Sequence, residues 1–291
     1  MINFLLLLKA VRWYNVALTL VSQYLIAVFI FETPGSRIEF IYDTKLHLII
    51  LSSCLSLAGA FLINGFYDLD KDLINQPQRV VVYKKLGQGF LLNIYAATCV
   101  FAILLGLIAS FSIFIFVGGL IFTFWFYSHK LQKLPLIREV TATLLAIAPL
   151  IAIWLHYGAT FHAGFVLYMG SLAIVGFTRE VVKDLEGNKG NIIFGYHTVV
   201  VAAGKELAKQ WLVFVNLILA IIFLIGFALF VKNWDYFSLI SGFSITASFL
   251  ISGACLVAKS DNLYQVADTL LKVVIVVHLV SLAIAGYISF G

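Results

Sequence analysis

The chain has 291 residues, 62% hydrophobic and only 11% charged, with a formal net charge of +5 at pH 7 and a mean hydropathy of +1.04. A water-soluble globule of this length has no core large enough to hide so much apolar surface, so lipid is its main solvent and a soluble enzyme is excluded. The pI of about 9.0 suits loops facing anionic lipid, and nothing points to nucleic acid.

Nine apolar runs follow one another, near residues 12–31, 46–67, 90–110, 112–128, 140–158, 163–181, 208–231, 236–258 and 267–290. No water inside a bilayer satisfies peptide groups, so each run must be a helix or a strand of a closed barrel. The runs lack period-two alternation, which selects helices and predicts an all-α, polytopic membrane protein. Lys9 and Arg12 precede or open the first run, which has no Ala-x-Ala-like cleavage site and reads as a retained helix, not a signal peptide.

Lys and Arg resist translocation and accumulate in short cytoplasmic loops. After Lys9 and Arg12, the second connection carries Lys71, Arg79, Lys84 and Lys85, and the fourth carries Lys130, Lys133 and Arg138. The sixth adds Arg179, Lys183, Lys189, Lys205 and Lys209, and the eighth adds Lys259 and Lys272. These are 16 of the 19 cations, leaving Arg37, Lys45 and Lys232 for the other side. The expected topology is multi-pass in the cell membrane, with the N-terminus cytoplasmic and the C-terminus opposite. Trp13, Trp125, Trp154, Trp211 and Trp234 fall near the ends of runs, where an amphipathic ring suits the headgroup layer. Cys54, Cys99 and Cys255 lie singly in apolar segments and read as packing residues, not as disulfides or a metal site.

Polarity concentrates after the second and sixth runs, while the third connection is almost absent. The first place reads Asn64-Gly65-Phe66-Tyr67-Asp68-Leu69-Asp70-Lys71-Asp72, and the second Arg179-Glu180-Val181-Val182-Lys183-Asp184-Leu185-Glu186. Asn64 and Glu180 are 116 residues and four spans apart, so a four-helix unit used twice, about 12–138 and 140–259 plus a last helix, would set both clusters at one mouth of a single domain covering 1–291.

Asn64, Asp68 and Asp72 are spaced i, i+4, i+8 and share one face if the helix continues, while Asp70 points elsewhere. Like charges there repel, at a helix C-terminus whose dipole also disfavours anions, so a cation should compensate. Carboxylate and amide oxygens without nearby His or Cys favour Mg²⁺. Glu180 and Asp184 repeat the i, i+4 logic, with Arg179 and Lys183 suited to phosphate oxygens. Against this stands the ordinary reading of acidic helix ends as solvated charge, which the pairing of two clusters on equivalent ends makes less economical. Among the histidines, His129 beside Lys130 is either solvated or near phosphate, and His47, His156 and His162 sit toward the opposite face. His278 lies inside the last run, where an ionisable group is a functional suspect, although a hydrogen bond to a neighbouring helix explains it as well.

In these residues the chain resembles the UbiA superfamily of intramembrane prenyltransferases, nine-helix bundles around a central cavity with two acidic motifs, approximately N-D-x-x-D-x-x-x-D and D-x-x-x-D. Asn64, Asp68 and Asp72 match the first, with Gly65 in place of its second-position Asp. Glu180 and Asp184 match the second, with Glu in the first place, as in the branch resembling geranylgeranylglyceryl-phosphate geranylgeranyltransferases. Arg12 and Asn15 match a start like R-x-x-N; Asn75, Pro77 and Arg79 match part of N-R-P-x-R-P; Tyr127-Ser128 and Pro135-Leu136 match the next loop; Gly190, Thr198 and Gly204 match the segment beyond the second motif. The departures are Gln76 for an Arg, Val80 for a Pro, Arg138-Glu139 where Gly-Asn is usual, and Gly187 and Asn191 for two acids.

The resemblance implies an Mg²⁺-dependent transfer of a prenyl group from its diphosphate to a lipophilic acceptor, either a prenylglyceryl phosphate or an aromatic quinone precursor. Asn64, Asp68 and Asp72 would hold one Mg²⁺, and Glu180 and Asp184 another, with Asp68, Asp72 and Asp184 at the centre of catalysis. Arg79, Lys130, Lys133 and Lys183 would hold diphosphate oxygens, and Tyr67 and Tyr127 would face the allylic cation. Two other readings stay open: a member that has lost catalysis and binds lipid or supports assembly, and a small-solute transporter. The second is disfavoured because a transporter sets its ionisable groups near the midplane, at broken helices, whereas these clusters sit at span ends and Pro numbers only 4.

Overall fold

The computed structural model describes residues 4–31, 39–159, 163–230 and 236–288. Arg37, His162, Lys232 and Trp234 lie outside them. Among the described residues there is no strand, and nine helices are long and apolar enough to span a bilayer. The order is α1 (Phe4–Ala10), α2 (Trp13–Ile26), α3 (Thr44–Tyr67), α4 (Leu69–Asn75), α5 (Pro77–Leu86), α6 (Gln88–Ala109) and α7 (Phe111–His129). Then come α8 (Ile137–His156), α9 (Ala163–Glu186), α10 (Asn188–Ile193), α11 (Val199–Ala203), α12 (Lys205–Phe230), α13 (Tyr236–Val257) and α14 (Asp261–Ile288).

The helix boundaries have local causes. Ser110 alone separates α6 from α7, and its hydroxyl caps the second helix by accepting from the Ile113 amide at 3.2 Å. Gly87 and Gly204 break the chain at φ +83° with nothing within 4 Å of where a Cβ would stand, so the left-handed backbone itself, not crowding, calls for glycine. Two expectations shift. The second acidic cluster stays inside α9, and the last span starts earlier, so Lys272 sits within α14, while Tyr127 and Ser128 close α7 as the run 112–128 expects.

Two compact units divide the chain: Met1–Gln132 with Ala148–Thr160, and Lys133–Ile147 with Phe161–Gly291. The first is organised on α3, which carries 67% of its most apolar window buried. Lipid tails are as apolar as Leu, so close backbone approach and interhelical hydrogen bonds hold such helices together, each bond worth about 0.6 kcal/mol. Ser52 donates to the Ala102 carbonyl at 2.7 Å, and a Cβ on Gly59 would stand 3.0 Å from the Thr98 hydroxyl. Fully buried Gln23 donates to Ser53 and to the Pro149 carbonyl, both at 2.8 Å.

The second unit is organised on α9, whose Val175, Val182 and Leu185 pack with Ala208, Leu212 and Leu271. His278 is a satisfied core residue there: its ring nitrogens bond the Ser244 hydroxyl at 2.7 Å and the Ser171 hydroxyl at 3.2 Å, and the ring stacks on Tyr168. By contrast, α12 has 11% of its apolar window buried and turns Phe214, Ile221, Leu224 and Ile225 outward, toward lipid.

Candidate functional site

The first acidic cluster forms where α3 ends. Asp68 stands at the junction with φ −90° and ψ 0°, and α4 begins immediately after it. The Asp68 amide donates to the Asn64 carbonyl at 2.9 Å and the Asp72 amide to the Asp68 carbonyl at 2.8 Å, so helical register survives and the i, i+4, i+8 line is preserved. Asp68 and Asp72 are each only 5% exposed, whereas Asp70 is exposed.

Each buried carboxylate has a cation. Lys71 approaches Asp68 Oδ1 at 2.9 Å, and Arg79 approaches Asp72 Oδ2 at 3.3 Å. Asn64 Nδ2 donates to Asp68 Oδ2 at 2.8 Å, and buried Ser128 donates at 3.5 Å to Asn64 Oδ1. Burial, then the charge of Asp68, pushes the Asp72 carboxyl above its usual range although Arg79, Lys71 and Arg12 pull it down. Loss of hydration thus outweighs the three cations gathered around the two acids.

Arg12 is a member that motif reading leaves without a role. It joins α1 to α2 in a left-handed backbone, φ 50° and ψ 54°, a conformation that costs a non-glycine residue about 1–3 kcal/mol. Its guanidinium lies 4.8 Å over the Phe61 ring. Loss of hydration, then the neighbouring Arg79, lowers its pKa to about 10, which leaves it charged at neutral pH within the field of Asp68. Of the other expected contacts in this unit, Tyr67 is half-buried with its edge toward His129, Tyr127 is half-buried on α7, and Lys130 is exposed at the end of that helix.

Gly65 has a tertiary reason. A Cβ there would collide with the Tyr83 ring and hydroxyl, and that hydroxyl donates to the Phe61 carbonyl at 3.0 Å. Tyr83 thus fills the space in which a side chain at position 65 would stand. Burial pushes its phenol up to about 12, so it acts only as a neutral donor. Gly65→Ala is expected to cost about 1–3 kcal/mol by overpacking. The double variant with Tyr83→Ala should cost less than the sum of the two singles, measured by thermal unfolding in detergent.

The second cluster lies on α9. Lys183 Nζ reaches both Glu180 oxygens at 2.8 Å. Asp184, 1% exposed, is paired through Oδ2 with the Arg138 guanidinium from the start of α8, and Asn191 Nδ2 stands 3.4 Å from its Oδ1. Arg179 pairs with Asp268 of α14 at 2.9 Å. Fully buried Glu139 accepts from the Val199 amide at 2.9 Å and, with Thr198, caps α11. Lys133 is exposed, with its ammonium 5.7 Å from the Tyr196 ring centre. Arg138 reads from the sequence as a loop cation and a departure from the family pattern, yet it is the partner of the most buried acid in this cluster.

The profile of the UbiA prenyltransferase family matches residues 13–267. The chain belongs to that family. This UbiA protein is 32% identical over 170 residues to a digeranylgeranylglyceryl phosphate synthase of Pyrococcus horikoshii, a match covering 56% of this chain and 58% of the relative's length. It is 25% identical to the synthase of that name from Korarchaeum cryptofilum, over 80% of this chain and 83% of the relative. Its fold is that of a UbiA homologue from Archaeoglobus fulgidus solved with GPP and Mg²⁺, with a TM-score of 0.68, 15% identity, and coverage of 96% of this chain and 99% of that one.

The two acidic clusters of this UbiA chain differ in their suitability for Mg²⁺. Asn64, Asp68 and Asp72 are hard oxygen donors, and the Arg79 side chain that meets Asp72 is 31% exposed, against 8% for the Lys71 side chain on Asp68. They fit the ion. Glu180 and Asp184 fit it less well: all four of their oxygens face Lys183, Arg138 or Asn191, against three of the four of Asp68 and Asp72, and the arginine on Asp184 is 8% exposed where the arginine on Asp72 is 31% exposed.

Proposed function

We propose that the chain transfers a prenyl group from a prenyl diphosphate to a lipophilic acceptor within the membrane, acting as a single catalytic domain that needs both acidic clusters. The observation that carries this reading is the pair of buried carboxylates, Asp68 and Asp72, gathered on one helix face among Arg12, Lys71 and Arg79. Burial on this scale is costly for solvated charge with no task, and three cations around two acids suit an anionic ligand.

Arg79 and Lys71 would hold diphosphate oxygens, and Lys130, Lys133 and Lys183 are further candidates. An Mg²⁺ held by Asn64, Asp68 and Asp72 would supply Lewis-acid neutralisation of the departing pyrophosphate. The allylic C–O bond breaks with its electron pair leaving on pyrophosphate, an acceptor oxygen or carbon bonds the prenyl C1, and the acceptor's proton is released. Tyr67 and Tyr127 would face the developing allylic charge, and the apolar helices exclude water from it. A cavity of about 600 Å³ in the second unit, walled by Val140, Leu144, Val166, Ile174, Phe177 and Phe223, offers apolar room for a lipid chain. The names of the relatives favour a prenylglyceryl phosphate as acceptor over an aromatic quinone precursor.

The test is pyrophosphate release by purified protein given prenyl diphosphates of several lengths and a panel of acceptors, with and without Mg²⁺. Metal-dependent release lost in both Asp68→Ala and Asp184→Ala supports the reading. Diphosphate binding without turnover would mark a degenerate member, and no binding would sink the enzyme.

We also propose a cytoplasmic N-terminus, from the distribution of Lys and Arg. A cysteine replacing Lys84 should react with an impermeant maleimide only from the cytoplasmic side, and one replacing Lys45 only from the other. The reverse pattern would refute the orientation.

A further inference from the structure

Two features of this chain converge on one carboxylate. Asp184 is 1% exposed on α9, and its oxygens face the Arg138 guanidinium, from a helix 46 residues earlier, and the Asn191 amide, 7 residues later. Both partners are themselves buried, Arg138 at 7% and Asn191 at 2% exposure. A carboxylate that ligates Mg²⁺ must turn lone pairs toward the ion, and neighbouring acids help it. Here both neighbours are hydrogen-bond donors, which consume those lone pairs and add no negative charge.

Glu180 and Asp184 bring two negative charges met by Lys183 and Arg138, as Asp68 and Asp72 are met by Lys71 and Arg79, so the difference between the clusters lies in how the arginines are held. Arg138 is also fixed in a way that Arg79 is not: its side chain is 8% exposed against 31%, and a guanidinium stays charged throughout the physiological range. The cation on Asp184 is thus built into the protein and does not arrive with a ligand.

We propose that Arg138 replaces the divalent ion at the second acidic cluster, so that the chain binds one metal per diphosphate, at Asn64, Asp68 and Asp72. The inference deepens the reading above, and it assigns Arg138 a positioning role: it holds Asp184 and, through it, the Glu180–Asp184 face of α9 in the arrangement a metal would otherwise impose. A single metal also implies that the second cluster keeps its arrangement in metal-free buffer, whereas the first loosens.

The experiment is a count of Mn²⁺ by electron paramagnetic resonance titration of the purified full chain with inorganic pyrophosphate present. The wild type should bind one Mn²⁺ per chain, Asp68→Asn none, and Asp184→Asn one. Arg138→Asn should gain a second Mn²⁺, and Arg138→Asn with Asp184→Asn should return to one. Two Mn²⁺ on the wild type would overturn the inference while leaving metal-dependent transfer intact, and none would overturn the metal-dependent reading itself. If Arg138→Asn does not fold, the Asp184→Asn count decides alone: a drop from the wild-type value means that Asp184 is a metal ligand and the inference fails.

Discussion

Asp68→Ala is expected to lower prenyl transfer by about 10²–10³-fold, the scale seen when one preorganised group that stabilises transition-state charge is removed. The change deletes the residue that bonds Asn64 and pairs with Lys71, so both proposed ligand-binding groups lose their positions together. Asp68→Asn keeps volume and one of the two acceptor oxygens but not charge, and should fall almost as far if charge is what matters. Asp70→Ala is the control: Asp70 is exposed and off the shared face, and its loss should leave the rate within twofold, roughly the ±0.5 kcal/mol typical of surface changes. Pyrophosphate release at saturating prenyl diphosphate separates lost turnover from weakened binding. Equal losses in Asp68→Ala and Asp70→Ala would mean that the carboxylates are only solvated helix ends.

Arg138→Ala should be the most destabilising single change at the site. It leaves Asp184 buried with its charge uncompensated, a situation that costs about 3–5 kcal/mol when one partner of a buried pair is removed. Thermal unfolding in detergent and chelator should show the loss. Adding Asp184→Asn to Arg138→Ala should recover much of it, since the remaining amide has no charge to bury. If Arg138 does replace a metal, Mn²⁺ should also raise the melting temperature of Arg138→Ala by more than it raises that of the wild type, because an ion bound only to the folded protein stabilises it by mass action. No difference between Arg138→Ala and wild type would mean that Asp184 finds another counter-ion.

The long-range partners explain which parts of the site could be read from the chain. Asn64, Asp68 and Asp72 were legible because helical periodicity alone puts them on one face, and the structure keeps that register through the junction at Asp68. Ser128 is 64 residues from Asn64, and Arg138 is 46 from Asp184, so no local pattern connects them. Gly65 reads as a defect in a motif until Tyr83, from α5, is seen in the space it leaves. Arg12 matched a motif, but the left-handed backbone that carries it over Phe61 has no signature in composition.

The amino-acid sequence by itself determined the solvent, the helical class, the nine spans and the positions of two acidic clusters. Each is settled over a window of about 20 residues, by the cost of leaving peptide groups unsatisfied in hydrocarbon and by the 3.6-residue period. Tertiary structure decided which cation meets which carboxylate. That depends on contacts between residues far apart in the chain, such as the Arg138–Asp184 pair and the close approach of α3 to α6 at Ser52 and Gly59. A glycine that admits a tyrosine, and an arginine that reaches a buried aspartate, acquire their meaning only from that packing.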